Sequence, residues 1–184
     1  STRGIPQLYY GEELAMTGGH DPDNRKDFSG GFAGDEADKF TKAGRTADEQ
    51  KMFFWTQKWI KLRKENPALQ KGRTIDLFYD NDAYVFERQL TVGDFGETKQ
   101  IVIAFNNSEN NKNVKVNVSM NERSSMCFNN LIGLEDTYKQ IEFESAVKKF
   151  APKFEKKCYE TKPTKFGFSI PGKSVIAFEI FSVL

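Results

Sequence analysis

The amino-acid sequence predicts an α+β chain in two parts, one strand–loop–helix unit followed by an antiparallel β-sandwich. Three observations carry this expectation. Residues 3–13 form a short apolar run that ends in glycine and carboxylates and opens into a long polar stretch. Apolar residues then recur at helical spacing between Thr46 and Asn66. From Thr74 onward, short β-branched or aromatic runs alternate with turn-forming clusters.

The opening run is Arg3-Gly4-Ile5-Pro6-Gln7-Leu8-Tyr9-Tyr10-Gly11-Glu12-Glu13. It reads as a strand delivered into a loop, which suits the C-terminal end of a strand in a β/α barrel, where the loops carry the site. Residues Thr17 to Arg45 are rich in Gly and Asp and keep no period. A loop of that length is functional or disordered as a rule. Thr46-Ala47-Asp48-Glu49 then reads as a capping box, with Thr46 as N-cap and Glu49 reaching back to it. Met52, Trp55, Trp59 and Leu62 form an apolar stripe that Phe53 and Ile60 widen. Lys61, Arg63 and Lys64 suit the negative end of the helix dipole. Asn66-Pro67 stops the helix, because the residue before proline is pushed out of the α region. Burying one large side chain stabilises by ~1.5–3 kcal/mol, so the stripe is expected to dock on the β-domain or on a second copy of the chain.

The predicted strands are Thr74–Phe78, Ala83–Gln89, Gln100–Asn106, Asn113–Val118, Lys165–Ile170 and Ser174–Phe181. Turn clusters at 79–82, 106–111 and 171–173 separate most of them. Several short strands in succession suggest an antiparallel sandwich. Asn121–Phe150 is ambiguous: Tyr138–Phe143 reads as a strand and Glu144–Phe150 as a helical turn. The domain boundary is placed at Lys71-Gly72, giving parts 1–71 and 72–184.

A formal charge of +1 argues against nucleic acid as a partner. The lysines at 148, 149, 153, 156 and 157 are interleaved with Glu144, Glu155 and Glu160, as on a solvated mixed-charge surface. No apolar run approaches the ~18 residues of a spanning helix. Cys127 and Cys158 are compatible with a disulfide in an oxidising compartment and equally with two free thiols. His20 is the one histidine, and no nucleophile signature accompanies it, which excludes a Ser-His-Asp apparatus.

The richest polar constellation is Gly18-Gly19-His20-Asp21-Pro22-Asp23-Asn24-Arg25-Lys26-Asp27-Phe28. One reading is an Asx-turn on a glycine-rich surface loop. The other is a ligand contact: a carboxylate accepts and a forked guanidinium donates, so together they bracket a pair of groups that do both, such as hydroxyls. Phe28 and Phe32 either offer a ring face to a ligand or pack within the loop. Calcium is excluded, because Arg25 stands at the fifth position of the would-be EF-hand loop and Lys26 where its turn glycine belongs. Glu12 and Glu13 are no catalytic pair, since glycosidase carboxylates flank a bond at ~5–9.5 Å and these are sequence neighbours. No catalytic residue and no metal ligand is therefore assigned.

These residues resemble the α-amylase superfamily of glycoside hydrolases. Gly4, Pro6, Tyr9, Tyr10, Gly11 and Glu13 fill every named position of its last-strand motif, G-x-P-x-x-Y-Y-G-x-E. Residues 63–69 followed by Gly72 are similar to the exit from the last barrel helix. Residues 83–88, 101–106 and 171–175 resemble strands of the C-terminal β-domain. The loop resembles the D-P-D-x-R segment of the neopullulanase and cyclomaltodextrinase branch. After Arg25 it resembles a D-F-P-G-G-W variant, with Ser29 and Phe32 in place of the proline and tryptophan.

The resemblance implies that 1–71 are the last strand, substrate-side loop and last helix of an incomplete (β/α)8 barrel, and 72–184 a β-sandwich domain. About seven-eighths of the barrel, with all three catalytic carboxylates, would precede Ser1. The parent would be a retaining α-glucan hydrolase acting on starch-derived oligosaccharides, cyclodextrins or pullulan. Asp21 and Arg25, with His20 beside them, would contact glucose units, and Glu13 would support the barrel end. The reaction needs no organic cofactor. An extracytoplasmic location is implied by resemblance alone. The alternatives are a stand-alone carbohydrate-binding β-sandwich and a structural domain joining subunits. Self-association as a homo-oligomer would run through the helix stripe or the opening strand.

Overall fold

The computed structural model describes residues 2–92, 97–118, 125–132, 142–143, 156–159 and 165–183. The chain divides into two compact units, Gly4–Glu65 and Asn66–Leu184 together with Ser1–Arg3.

The first unit holds two 3-10 turns, Glu12–Leu14 and Asp23–Arg25, and one helix, α1 (Ala47–Glu65). The opening run is not a strand. It joins no ladder among the described residues, and Ile5 is 97% exposed. A strand is defined by a hydrogen-bonded neighbour and held by what its side chains bury. A short apolar run alone supplies neither.

The N-terminus of α1 is built as its sequence specifies. Thr46 N–H donates to Glu49 Oε2 at 2.7 Å, and Glu49 N–H donates to Thr46 Oγ1 at 3.3 Å. Lys39 Nζ adds an ion pair to the same Glu49 oxygen at 2.7 Å. The Arg45 guanidinium lies 3.7 Å from the centre of the Phe53 ring. Asn66 is extended, and Pro67 opens a separate short helix, α2 (Pro67–Lys71). The apolar stripe is only partly covered. Leu62 is buried and Trp59 half-buried, but Met52, Trp55 and Ile60 are 37%, 38% and 39% exposed. Helical periodicity identifies an apolar face without identifying its cover.

In the second unit, strands β1 (Arg73–Tyr79), β2 (Ala83–Val92), β3 (Glu97–Asn106), β4 (Lys112–Asn117), β5 (Ser125–Ile132), β6 (Glu142–Phe143), β7 (Lys156–Tyr159), β8 (Lys165–Ile170) and β9 (Ser174–Val183) form two antiparallel sheets. The six-stranded sheet has the order β1-β2-β3-β9-β5-β7, and the three-stranded sheet β4-β8-β6. Alternation dictates the packing: Val85, Val102, Ala104, Phe128, Ile176 and Phe178 of one sheet meet Val114, Val116, Phe166, Phe168 and Ile170 of the other. Phe166, Phe168 and Phe178 make mutual ring contacts at 5.3–6.2 Å. The result is a sandwich, its sheets packed through their alternating inner faces. A bulge between Asp76 and Phe78 shifts the β1–β2 register.

Within 121–150, β5 and the end of the predicted Tyr138–Phe143 strand are observed, while the predicted turn Glu144–Phe150 lies outside the described residues. Cys127 is disulfide-bonded, and the β5–β7 register sets Cys158 opposite it. At one end of the sandwich, Asn106 Nδ2 donates to the carbonyls of Asn110, Ile170 and Pro171 at 2.8, 3.0 and 3.1 Å. That amide ties the β3–β4 connection to the β8–β9 turn. No helix among the described residues is long and apolar enough to cross a membrane.

Candidate functional site

The site is built outward from Gly11. Its φ of +87° lies in the left-handed region, and a Cβ there would run into the Met16 side chain. Gly11 O accepts from Leu14 N–H and Met16 N–H at 3.0 Å each, and Gly11 N–H donates to Glu13 Oε2 at 3.0 Å. Glu13 thus turns back on its own turn and closes it. Gly4 also has a left-handed backbone, at φ +95°, and its carbonyl accepts from Arg63 Nη2 at 3.1 Å. Pro6, Tyr9 and Tyr10 are exposed, and the two tyrosine rings lie 4.5 Å apart.

The loop that follows doubles back on itself. Asp23 N–H donates to His20 O at 2.8 Å and Arg25 N–H to Pro22 O at 2.9 Å, which winds the 3-10 turn. The Asp21–Pro22 peptide bond is cis. This turn brings Arg25 Nη2 onto Asp21 Oδ1 as an ion pair whose side chains are 61% and 63% exposed. His20 enters the turn through its carbonyl, and its side chain is exposed. Phe28 packs on Phe40, ring centres 4.6 Å apart, while Phe32 is 65% exposed.

Sequence reasoning passed over the residues that hold this turn. The Asp23 carboxylate accepts from Gly19 N–H at 2.7 Å and pairs with Lys26 Nζ at 3.0 Å. The Lys26 ammonium, and then the Gly19 amide, hold the Asp23 carboxyl below its ordinary pKa. Tyr10 Oη donates to Lys26 O at 2.9 Å. A cavity of about 210 Å³ opens beside these groups, lined by Tyr9, Tyr10, Thr17, Asp23, Asn24 and Lys26. The available signal was the pair of glycines four and five residues before an aspartate, a spacing that allows a carboxylate to cap a returning chain.

Chemically, the pair offers forked donors and an acceptor side by side in solvent, the complement of adjacent sugar hydroxyls. It offers no separated carboxylates for bond cleavage.

No known protein-family profile matches the chain. Curated relatives do. The chain is 35% identical over 114 residues to the cyclomaltodextrin glucanotransferase of Geobacillus stearothermophilus, covering 62% of this chain and 13% of the relative. It is 30% identical over 129 residues to the amylopullulanase of Thermoanaerobacter thermohydrosulfuricus, covering 68% of this chain and 8% of that protein. The chain belongs to the α-amylase family. The fold agrees: the crystal structure of the Geobacillus thermoleovorans α-amylase complexed with acarbose superimposes with a TM-score of 0.62, at 20% identity, over 98% of this chain and 31% of that one. This α-amylase-family chain therefore spans well under a third of the length of the curated relatives it matches.

Proposed function

We propose that the chain is the C-terminal part of a retaining α-glucan hydrolase acting on starch-derived oligosaccharides, cyclodextrins or pullulan. Residues 1–71 supply the end of the catalytic barrel and its substrate-side loop, and residues 72–184 supply a stabilising β-domain. Catalytic carboxylates flanking the scissile bond would come from outside these residues, so the chain alone releases no reducing sugar from starch. The observation that carries the reading is the exposed, preformed Asp21–Arg25 pair on the loop after Gly11. Exposed ion pairs contribute little to stability, which leaves ligand contact as the better reason for the arrangement. Asp21 and Arg25 bracket the hydroxyls of a glucose unit beyond the cleavage point.

The test is Arg25→Ala in an enzyme carrying this chain with its barrel. A hydrogen bond to a charged group contributes roughly 1.5–3 kcal/mol, so kcat/KM on long maltooligosaccharides falls by about one to two powers of ten. The shortest substrates lose less, and Tm barely moves. Equal losses at every chain length with a large drop in Tm would make Arg25 a structural strut and end this reading.

A further inference from the structure

We infer that Asp23 is a positioning residue, a clasp that holds Asp21 and Arg25 in the geometry that meets the sugar. This rests on the reading of that pair as a substrate contact. The pair sits on a turn whose two ends are Gly19 and Lys26, and Asp23 reaches both. One carboxylate oxygen takes the Gly19 N–H at 2.7 Å, and the other takes Lys26 Nζ at 3.0 Å. Asp23 itself lies between the two residues it positions and directs its side chain to the base of the turn.

Two further contacts close the same base. Tyr10 Oη donates to Lys26 O at 2.9 Å, fixing the outgoing end to the turn after the opening run. Gly18 lies flat against the returning backbone, where an added Cβ would stand 3.0 Å from Asn24 Cα and 3.2 Å from Asp23 O. The incoming end therefore tolerates no side chain at Gly18 without moving. A Cβ at Gly19 would stand 3.1 Å from Asp23 Oδ2, so the clasp also requires close approach there.

The reason for such a device lies in loop entropy. An unrestrained surface loop must be ordered when it binds, and fixing side chains and backbone at that moment lowers affinity. A turn already closed at its base presents the guanidinium and carboxylate at one separation before the sugar arrives. Asp23 makes this possible without touching the ligand.

Two measurements on the 15N-labelled chain test the inference. The first needs no sugar: the Gly19 amide shift is followed as pH is lowered. The clasp makes it titrate with a midpoint below the ordinary carboxylate range, and Asp23→Ala abolishes that titration. A midpoint in the ordinary range would overturn the inference. The second is titration with maltoheptaose. Asp23→Ala raises Kd by three- to tenfold, and Asp23→Asn, which keeps an oxygen for Gly19 N–H, recovers part of that loss. Gly18→Ala opens the same base from the backbone side and reproduces the loss. Asp23→Ala combined with Arg25→Ala binds no more weakly than Arg25→Ala alone, because the clasp acts only through the pair. If Arg25→Ala weakens binding but Asp23→Ala does not, the clasp inference alone is overturned. If Arg25→Ala binds maltoheptaose like the wild type, the sugar-contact reading fails and the inference falls with it.

Discussion

Glu87 accepts one hydrogen bond, from Gln100 Nε2 at 2.8 Å, and its second carboxylate oxygen is buried without a partner. Both residues are on central strands of the larger sheet, and Glu87 is fully buried. Burial pushes its pKa above the ordinary glutamate value, against the smaller opposing effects of the Gln100 hydrogen bond and the Arg73 charge.

The sign of the pH dependence follows. The native state holds a proton on Glu87 in a window above the ordinary value of ~4.3, where the unfolded chain has lost it. Stability is therefore highest below that window and declines as pH rises through it. Glu87→Gln removes the ionisation and flattens this decline, with a gain on the order of 1 kcal/mol at pH 8 and little change at pH 4. Urea melts of both proteins from pH 4 to 8 check this. Parallel profiles would show that Glu87 remains charged in the native state.

Thr46 is the second target. Its hydroxyl and backbone both serve the capping box, so Thr46→Ala destabilises α1 by about 1 kcal/mol. Circular dichroism melts should show the loss, whereas Thr46→Ser should be close to neutral. Equal Tm values for Thr46→Ala and the wild type would mean that the Lys39–Glu49 pair holds this helix end unaided.

That cap shows what kind of information the sequence carries legibly. Thr46 and Glu49 act over three residues, and Lys165–Ile170 alternates within one strand, so both could be read from local spacing. The failures share a different origin. β7 is a lysine-rich segment that becomes a strand by pairing with β5, and β5 carries Asn129 and Asn130 through its middle. Neighbour pairing outweighs local preference in such strands. Ile5–Tyr10 fails in the opposite direction, a short apolar run with no neighbour among the described residues. At the candidate site, Asp21 and Arg25 were visible from residue chemistry and resemblance. Asp23 was not, because its carboxylate meets the Gly19 amide and the Lys26 ammonium, which only the folded loop brings to it.

Cys127 supplies a redox prediction. In the chain-entropy account, a cross-link from 127 to 158 closes a loop of about thirty residues and stabilises by about 3–4 kcal/mol. Reduction with dithiothreitol should lower the denaturation midpoint accordingly, and Cys127→Ser should match the reduced protein. Identical melts with and without reductant would show that the bond contributes nothing to stability in solution.

Lys112 and Asp80 provide an acid-side test. Lys112 Nζ lies 2.5 Å from Asp80, which also accepts the N–H groups of Asp82 and Ala83 at 2.9 and 2.8 Å. Together they hold the Asp80 pKa down to about 2. A depressed carboxylate stabilises the fold above its unfolded pKa, and the contribution is lost as pH falls towards 2. Lys112→Met should raise the Asp80 midpoint, read by side-chain NMR, yet leave it below ordinary because the two amides remain. An unchanged midpoint would show that the amides alone set it.

β9 follows every other described strand in sequence, yet it lies in the middle of the six-stranded sheet, between β3 and β5. During synthesis, β1, β2 and β3 can zip into a meander while the inner edge of β3 waits for a partner some seventy residues away. An open, apolar strand edge is a template for foreign chains, and long-range pairing forms slowly. The most hazardous moment for this protein is therefore the interval before β9 is made, when a chaperone or a neighbouring nascent chain competes for the slot that β9 will fill.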